Sequence, residues 1–249
     1  MKIFTKFRNN TSQLYFKFIL KKVFIFTGNK FRQNVLIRVP RYLFYTNKLL
    51  FKKGLVKSIR KRNPILVNSL PIPWLTHPFI EYISKLNLRN LSMVEFGSGN
   101  STIFFSKIVK DIESFESNED FIYYLQKKHN YQGVIHLVEE NYASKIEDFK
   151  KDIIFIDGFN RNGIILNLLE YISFNRETPP TLIIIDNPDF INQDLLNNLL
   201  KFSYIRVDFY GTVSDLWNEN ITSLFISKDV SNYIFEELND FSSSIFKGR

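Results

Sequence analysis

Cysteine is absent from the 249 residues of this chain. Its absence excludes disulfide bonds, thiolate metal sites and cysteine nucleophiles. Histidine is scarce as well, and the three residues, His77, His129 and His136, lack the spacing of zinc ligands. Apolar residues nevertheless make up 45% of the chain and charged residues 23%, which is enough for a packed core. The length suits one α/β domain with an appendage.

Acidic residues are missing from residues 1–63, which contain 17 of the 33 lysines and arginines. Residues 64–249 therefore hold the other 16 basic residues and all 25 acidic ones, a net charge of −9. Pro64, Pro71 and Pro73 follow the basic segment and indicate a boundary. The sequence thus predicts a basic, aromatic-rich N-terminal arm over 1–63 and a mildly acidic domain over 64–249.

The arm also lacks a long uninterrupted apolar run. Lys17, Lys21 and Lys22 interrupt residues 12–26, so we expect neither a spanning helix nor a cleaved signal peptide. Cations interleaved with large apolar groups over 12–62 suit an anionic membrane surface, a nucleic-acid backbone or a helix packed on the main domain. Nucleic acid is the less favoured partner. We expect a cytoplasmic protein, with attachment to the inner membrane face as an open alternative.

Strand and helix patterns alternate regularly from residue 91 onward. The predicted strands cover 91–96, 112–115, 134–138, 153–156 and 182–185, and the predicted helices cover 103–109, 121–128, 164–172 and 191–200. The apolar runs 205–210 and 221–227 have no helix between them and predict an antiparallel pair at the sheet edge. This alternation predicts an α/β fold with a doubly wound, mostly parallel, Rossmann-like sheet.

Glycines and carboxylates follow the predicted strands, where ligands bind in such sheets. Gly97 and Gly99 follow the first strand and permit a close approach of backbone N–H groups to a ligand. Glu116 ends the second strand 17 residues after Gly99, near the spacing at which an acid binds ribose hydroxyls. Together they predict an adenosine-type ligand. Thr102 stands where a dinucleotide fingerprint has its third glycine, which disfavours a nicotinamide cofactor.

Glu95-Phe-Gly-Ser-Gly99 resembles the first motif of the class I S-adenosylmethionine-dependent methyltransferases, with Ser101 at the place of the frequent third glycine. Over roughly residues 71–227 the chain resembles, more narrowly, a group of bacterial methyltransferase-like proteins. The segments that carry this resemblance are 73–78, 95–102, 157–161, 185–187, 208–211 and 222–225. It implies a seven-stranded sheet with the last strand inserted antiparallel, and S-adenosylmethionine as cofactor.

The same resemblance implies the cofactor contacts. The Gly97–Gly99 loop would meet the methionine part of the cofactor and Glu116 its ribose. The complete set of predicted cofactor-binding residues is Glu95, Phe96, Gly97, Ser98, Gly99, Ser101, Thr102, Glu116, Ser117, Asp157 and Gly158.

Asp186 and Asn187 allow three interpretations. Asn187-Pro-Asp-Phe190 is similar to a motif of amino-group methyltransferases, but it follows the fifth predicted strand rather than the fourth. Asn187 also suits a helix N-cap, with Pro188 at the first helical position and Asp189 in the first turn.

The third interpretation is a metal site. Asp157, Asp186 and Asn187 stand where catechol O-methyltransferase-like enzymes hold a divalent cation, and their oxygens suit Mg²⁺. The lysine that those enzymes carry three residues after the first Asp is Asn160 here. Arg161 follows it and offers an alternative to a metal between the two carboxylates.

The sequence therefore predicts methyl transfer to an oxygen of a sugar, a glycan or another small acceptor. Asp157, His77 and Arg161 are the candidate catalytic residues, and Trp74 is a candidate lid. Trp74 and His77 suit a packed aromatic ring and a solvated imidazole better than these roles. Two alternatives remain: an RNA methyltransferase that uses the basic arm, and a non-catalytic cofactor-binding-fold subunit at the membrane surface.

Overall fold

The computed structural model describes residues 71–139, 142, 146–213 and 219–228. The predicted arm, its boundary at residue 63 and its membrane or nucleic-acid role lie outside these residues. The described part contains seven strands: β1 (Ser92–Phe96), β2 (Asp111–Glu116), β3 (Val134–Leu137), β4 (Ile153–Ile156), β5 (Leu182–Asp186), β6 (Tyr204–Thr212) and β7 (Glu219–Ser227).

The strands form one sheet in the order β3-β2-β1-β4-β5-β7-β6. The β1–β2, β1–β4, β2–β3 and β4–β5 pairs are parallel, whereas β7 runs antiparallel between β5 and β6. This confirms the predicted doubly wound sheet with its last strand inserted antiparallel. The chain leaves β1 toward one edge and returns at β4 toward the other, so a crevice opens between the loops after these strands.

The core lies on both faces of the two central strands. All residues from Ile153 to Ile156 and from Leu182 to Ile185 are inaccessible to solvent, as parallel strands covered by helices require. Side chains alternate between the faces: Ile154 and Ile183 pack in one cluster, while Ile153 and Leu182 pack in the other. Rigid central strands hold the loops at their carboxyl ends in fixed positions.

Five α-helices lie among the described residues: α1 (His77–Ile83), α2 (Asn100–Phe105), α3 (Glu119–Tyr123), α4 (Arg161–Phe174) and α5 (Gln193–Lys201). A π-helical turn, Tyr124–Lys128, continues α3, and 3₁₀ turns cover Ile146–Phe149 and Pro188–Phe190. The predicted helices 103–109 and 121–128 start too late, and the first also ends too late. The helix predicted over 191–200 begins at Gln193.

Polar caps explain these displaced boundaries. Asn118 and Asn192 each accept a hydrogen bond from the backbone N–H two residues on, at 2.9 Å, and so start α3 and α5. Gly99 and Thr102 exchange hydrogen bonds at the start of α2. Since cap residues are polar, they carry no signal in the apolar periodicity from which the helices were predicted. Within the described part of the chain, no helix has the length and apolar character to cross a bilayer.

Candidate functional site

A cavity of about 720 Å³ opens beside the carboxyl ends of the parallel strands. This volume is in the range of small-molecule and cofactor sites. The loops after β1, β2, β4 and β5 all contribute to its wall. The predicted site residues that line it are Phe96, Gly97, Ser98, Gly99, Ser101, Glu116, Ser117, Asp157, Gly158, Arg161, Asp186 and Asn187.

Two glycines bring the loops after β1 and β4 into backbone contact. Gly97 has φ +99°, and a Cβ atom there would lie 2.7 Å from the backbone nitrogen of Gly158. A Cβ atom on Gly158 would lie 3.1 Å from the backbone nitrogen of Gly97. The Asp157 N–H donates to the Phe96 carbonyl at 2.9 Å beside this contact. Gly97 therefore needs glycine for steric reasons that precede any role in binding, and a side chain at Gly158 would require the facing backbone to shift.

Glu116 fixes the loop after β1 through its carboxylate. Its Oε2 accepts from the Ser98 N–H at 2.8 Å and from the Ser98 hydroxyl at 3.4 Å, and its Oε1 accepts from the Asn118 N–H at 2.8 Å. A carboxylate offers about four acceptor sites, so one remains on Oε1. The side chain is buried yet lines the cavity, which fits a ligand that presents a hydroxyl there.

Glu95, in contrast, lies behind the loop and does not line the cavity. The hydroxyls of Ser101, Thr102 and Ser114 all donate to its carboxylate, the last two at 2.6 and 2.8 Å. Burial raises the pKa of Glu95 to about 7, the three hydrogen bonds oppose this rise, and Glu116 adds to it. Glu95 and Thr102 thus connect β1, β2 and the start of α2 beneath the cavity.

An aromatic wall completes the cavity on the β2 side, and the sequence did not reveal it. Phe115 stacks on Tyr142 with ring centroids 5.3 Å apart, and the Tyr142 hydroxyl donates to Asp148 at 2.5 Å. Trp74, half-exposed, also lines the cavity, and its role as a lid stays a prediction. Tyr142 could not have been found by pattern, because it lies between β3 and β4 outside any periodic segment.

Arg161 begins α4 and spreads its guanidinium across the ends of β4 and β5. Nη2 donates to the Oδ1 and the carbonyl of Asp157, both at 3.0 Å, and Nε donates to the Gly158 carbonyl at 3.0 Å. Nη1 donates to the Asp186 carbonyl at 2.5 Å and to the Asn187 Oδ1 at 3.4 Å. The predicted convergence of Asp157, Asp186 and Asn187 is therefore present, with Arg161 between them.

Asn187 precedes the Pro188–Phe190 turn, as predicted, but its side chain makes no capping hydrogen bond. Its backbone is left-handed, with φ 49°, and its amide oxygen instead faces Arg161. The cap interpretation is corrected in this respect. Left-handed backbone is tolerated by asparagine better than by most residues.

Asp186 is almost fully buried beside β7. Its Oδ1 accepts from the Thr222 hydroxyl at 2.8 Å, and the Thr222 oxygen accepts from the Thr76 N–H at 3.2 Å. Thr222 is the register partner of Asp186 in the antiparallel β5–β7 pair. The sequence could have indicated Thr222 only if this register had been known.

The pKa values of both aspartates are raised. Burial raises the pKa of Asp157 to about 7, Arg161 opposes the rise, and Glu95 and Glu116 add to it. Burial raises the pKa of Asp186 to about 8, the Asp157 carboxylate adds to it, and Thr222 and Arg161 oppose it. Two carboxylates this close favour a state in which one of them keeps its proton.

The donor set of the predicted Mg²⁺ site does not fit a metal in this arrangement. The guanidinium of Arg161 already uses oxygens of Asp157 and Asn187. Among the described residues no group of three or more His, Asp or Glu side chains has the geometry of a metal centre.

His77 is not brought to the cavity. It is the first residue of α1, is buried, and does not belong to the cavity wall. A role for His77 as a base at this cavity therefore has no geometric support.

No protein-family model matches the chain, and no curated protein matches it. Solved structures to which the chain is similar include three proteins described as methyltransferases. A methyltransferase from Pyrococcus furiosus is 15% identical, with 73% of this chain and 98% of that chain covered and a TM-score of 0.42. Magnesium protoporphyrin IX methyltransferase from Synechocystis PCC 6803, with bound SAM, is 13% identical, with 60% and 76% covered and a TM-score of 0.42.

The third structure is Sp1610 of Streptococcus pneumoniae, described as a putative tRNA (m1A22) methyltransferase. It is 10% identical, with 60% of this chain and 69% of that chain covered and a TM-score of 0.40. All three are described as methyltransferases. At these identities and TM-scores the likeness carries no argument about activity or acceptor, which have to be argued from the site itself.

Proposed function

We propose that this protein is an S-adenosylmethionine-dependent methyltransferase that acts on an oxygen of a sugar, a glycan or another small acceptor. One observation carries the proposal: at the crevice beside β1, the same cavity is faced by the Gly97–Gly99 loop and by the buried carboxylate of Glu116. Backbone groups that a ligand can approach closely, next to an acid with a remaining acceptor site, suit an adenosine moiety.

Glu116 would hold the ribose in this proposal. Its remaining acceptor site on Oε1 can take a hydroxyl, while Ser98 and Asn118 keep the carboxylate in place. The aromatic wall of Phe115 and Tyr142 offers flat apolar surface beside it. When bound, S-adenosylmethionine supplies a methyl group on a sulfonium that an acceptor oxygen can attack in line.

Asp157 is the residue proposed to take the proton of the acceptor hydroxyl. Its side chain is partly exposed to the cavity, and its raised pKa lets it exchange a proton near neutral pH. Arg161 holds this carboxylate at 3.0 Å, which makes Arg161 a positioning residue. No step of this scheme needs His77 or a metal.

The charge of the cavity favours a small acceptor over RNA. Apart from Arg161, the charged side chains in the described lining are all acidic: Glu116, Asp120, Glu139, Asp157 and Asp186. Such a lining repels a phosphate backbone. The RNA alternative depends on the basic arm, which lies outside the described residues.

Calorimetric titration of the full-length chain with S-adenosylmethionine tests the proposal. We expect binding, and we expect Glu116→Gln to weaken it by about 1.5–3 kcal/mol, or roughly 10- to 150-fold, because a charge-assisted contact is lost. Glu119→Gln, on the exposed first turn of α3, is the matched control and should bind like wild type. Absence of wild-type binding would contradict the cofactor, and an unchanged affinity in Glu116→Gln would contradict its site.

The acceptor requires a second measurement. Transfer of labelled methyl groups should be followed with sugar nucleotides, glycans and RNA as separate acceptors. Labelling of RNA alone would favour the RNA alternative. Binding of S-adenosylmethionine without transfer to any acceptor would favour the non-catalytic one.

A further inference from the structure

The guanidinium of Arg161 has every one of its donors engaged at one place. Arginine carries five N–H groups, one on Nε and two on each Nη nitrogen. They meet five oxygens: the carbonyls of Asp157, Gly158 and Asp186, the Oδ1 of Asp157 and the Oδ1 of Asn187. A solvent-exposed guanidinium without a structural role would donate several of its N–H groups to water instead.

These oxygens come from two different strand ends. Asp157 and Gly158 follow β4, whereas Asp186 and Asn187 lie at the end of β5. The guanidinium therefore bridges the loops that follow two neighbouring strands. A divalent cation bound by carboxylate, amide and carbonyl oxygens of both loops would serve the same purpose, since Mg²⁺ and Mn²⁺ prefer such ligands.

Electrostatic repulsion prevents the guanidinium and a divalent cation from occupying this place together. Asp157 and Asp186 stand at the carboxyl ends of the neighbouring strands β4 and β5 and line the same cavity, so negative charge on both would be repulsive without positive charge nearby. Arg161 supplies it at 3.0 Å from the Asp157 Oδ1. A divalent ion that approached the same oxygens would meet the guanidinium at short range and be repelled.

We propose that Arg161 is the resident cation of this edge of the cavity: its guanidinium fills the position where a divalent ion would bind, holds the ends of β4 and β5 together and makes the site metal-independent. The inference requires neither a particular cofactor nor a particular acceptor. Its test can therefore fail or succeed separately from the proposed methyltransferase activity.

The consequence is that removal of Arg161 should create a metal site. In Arg161→Ala the oxygens of Asp157, Asp186 and Asn187 lose their cation and remain at neighbouring strand ends. The chain contains a matched control in Arg206, which pairs with Asp208 at 2.8 Å. The side chains of the two pairs are similarly exposed, 22% and 27% for Arg161–Asp157 against 21% and 25% for Arg206–Asp208.

The affinity of each variant for Mn²⁺ can be measured directly by titration of the full-length protein. The electron paramagnetic resonance signal of the free ion reports how much Mn²⁺ remains unbound. We expect negligible binding by wild type and by Arg206→Ala, and at least about tenfold tighter binding by Arg161→Ala, because affinity follows the number of charged oxygen ligands. Asp186→Asn added to Arg161→Ala should abolish the gain. Folding of each variant is checked by circular dichroism.

Two results would overturn the proposal. One is stoichiometric Mn²⁺ binding by wild type that Asp186→Asn removes. The other is a folded Arg161→Ala that binds Mn²⁺ no better than wild type. If Arg161→Ala does not fold, the comparison of Arg161→Lys with wild type tests the proposal. The lysine keeps one positive charge at this position. Arg161→Lys that binds no Mn²⁺ supports the proposal, and Arg161→Lys that binds Mn²⁺ contradicts it.

Discussion

Replacement of Gly97 by alanine tests the contact between the loops after β1 and β4. Gly97 has φ +99°, which costs a residue with a Cβ atom about 1–2 kcal/mol. The new Cβ would also lie 2.7 Å from the Gly158 nitrogen and 2.8 Å from its Cα, so the two loops must separate. Overpacking of this kind costs about 1–3 kcal/mol.

A small opposing effect comes from the unfolded chain, which loses conformational freedom when glycine becomes alanine, by about 0.4–1 kcal/mol. The net expectation for Gly97→Ala is a loss of about 3 kcal/mol in the free energy of unfolding. For a domain of this size that corresponds to a fall in Tm of roughly 6–12 °C.

Gly99→Ala is the control from the same motif. Gly99 has an extended φ of 178°, and a Cβ atom there would meet only the Ser101 hydroxyl, at 4.0 Å. We expect its free energy of unfolding to lie within about 1 kcal/mol of wild type.

Urea unfolding of the full-length chain, followed by circular dichroism, measures both variants. The slope of the transition should be unchanged, so that midpoints report stability alone. If Gly97→Ala were as stable as wild type, or if the two variants lost stability equally, the backbone contact between Gly97 and Gly158 would not be the constraint described above.

Three further predictions concern the buried acids and the arm. The raised pKa of Glu95 means that its contribution to the free energy of unfolding is fully present below pH 4.5 and is lost as the pH rises through about 7. Between these pH values wild type should therefore lose about 3 kcal/mol more stability than Glu95→Gln. Parallel pH profiles of the two proteins in urea unfolding would contradict this. Thr222→Val removes a hydrogen-bond donor to the Asp186 carboxylate and an acceptor for the Thr76 N–H, so it should lower the free energy of unfolding by about 2 kcal/mol. The control Thr178→Val, at an exposed position, should lower it by almost nothing in the same assay. An equal loss in both variants would refute the stabilising role of the two Thr222 hydrogen bonds. The full-length chain should sediment with anionic vesicles and be released as the salt concentration is raised, because the arm carries 17 basic residues and no acidic one. Vesicle binding that does not change with salt concentration would exclude an electrostatic attachment.

The sheet was predictable because its signals are local. Continuous apolar runs such as Ile153–Ile156 identify buried parallel strands, and the glycines and acids that follow them predict where the cavity opens. Helix boundaries were not predictable to the residue, because caps such as Asn118 carry no apolar periodicity.

The partners of the site residues depend on tertiary contacts instead. The sequence suggested Arg161 as a donor between two carboxylates, but not that it would also reach the carbonyls of Gly158 and Asp186. Glu95 stands in the motif beside Gly97, yet its side chain lies beneath the loop, because the direction of a strand residue depends on the pleat and on which face carries the helix.

The pairing of Thr222 with Asp186 makes the cavity sensitive to the reading frame of a distant strand. Successive side chains of β7 point to opposite faces, so an insertion or deletion of one residue before Thr222 within the strand would bring Ile221 or Ser223 opposite Asp186. Isoleucine would leave the acid beside a hydrocarbon. The acid–base character of the cavity therefore depends on the alignment of β7 with β5 as well as on the residues that line the cavity.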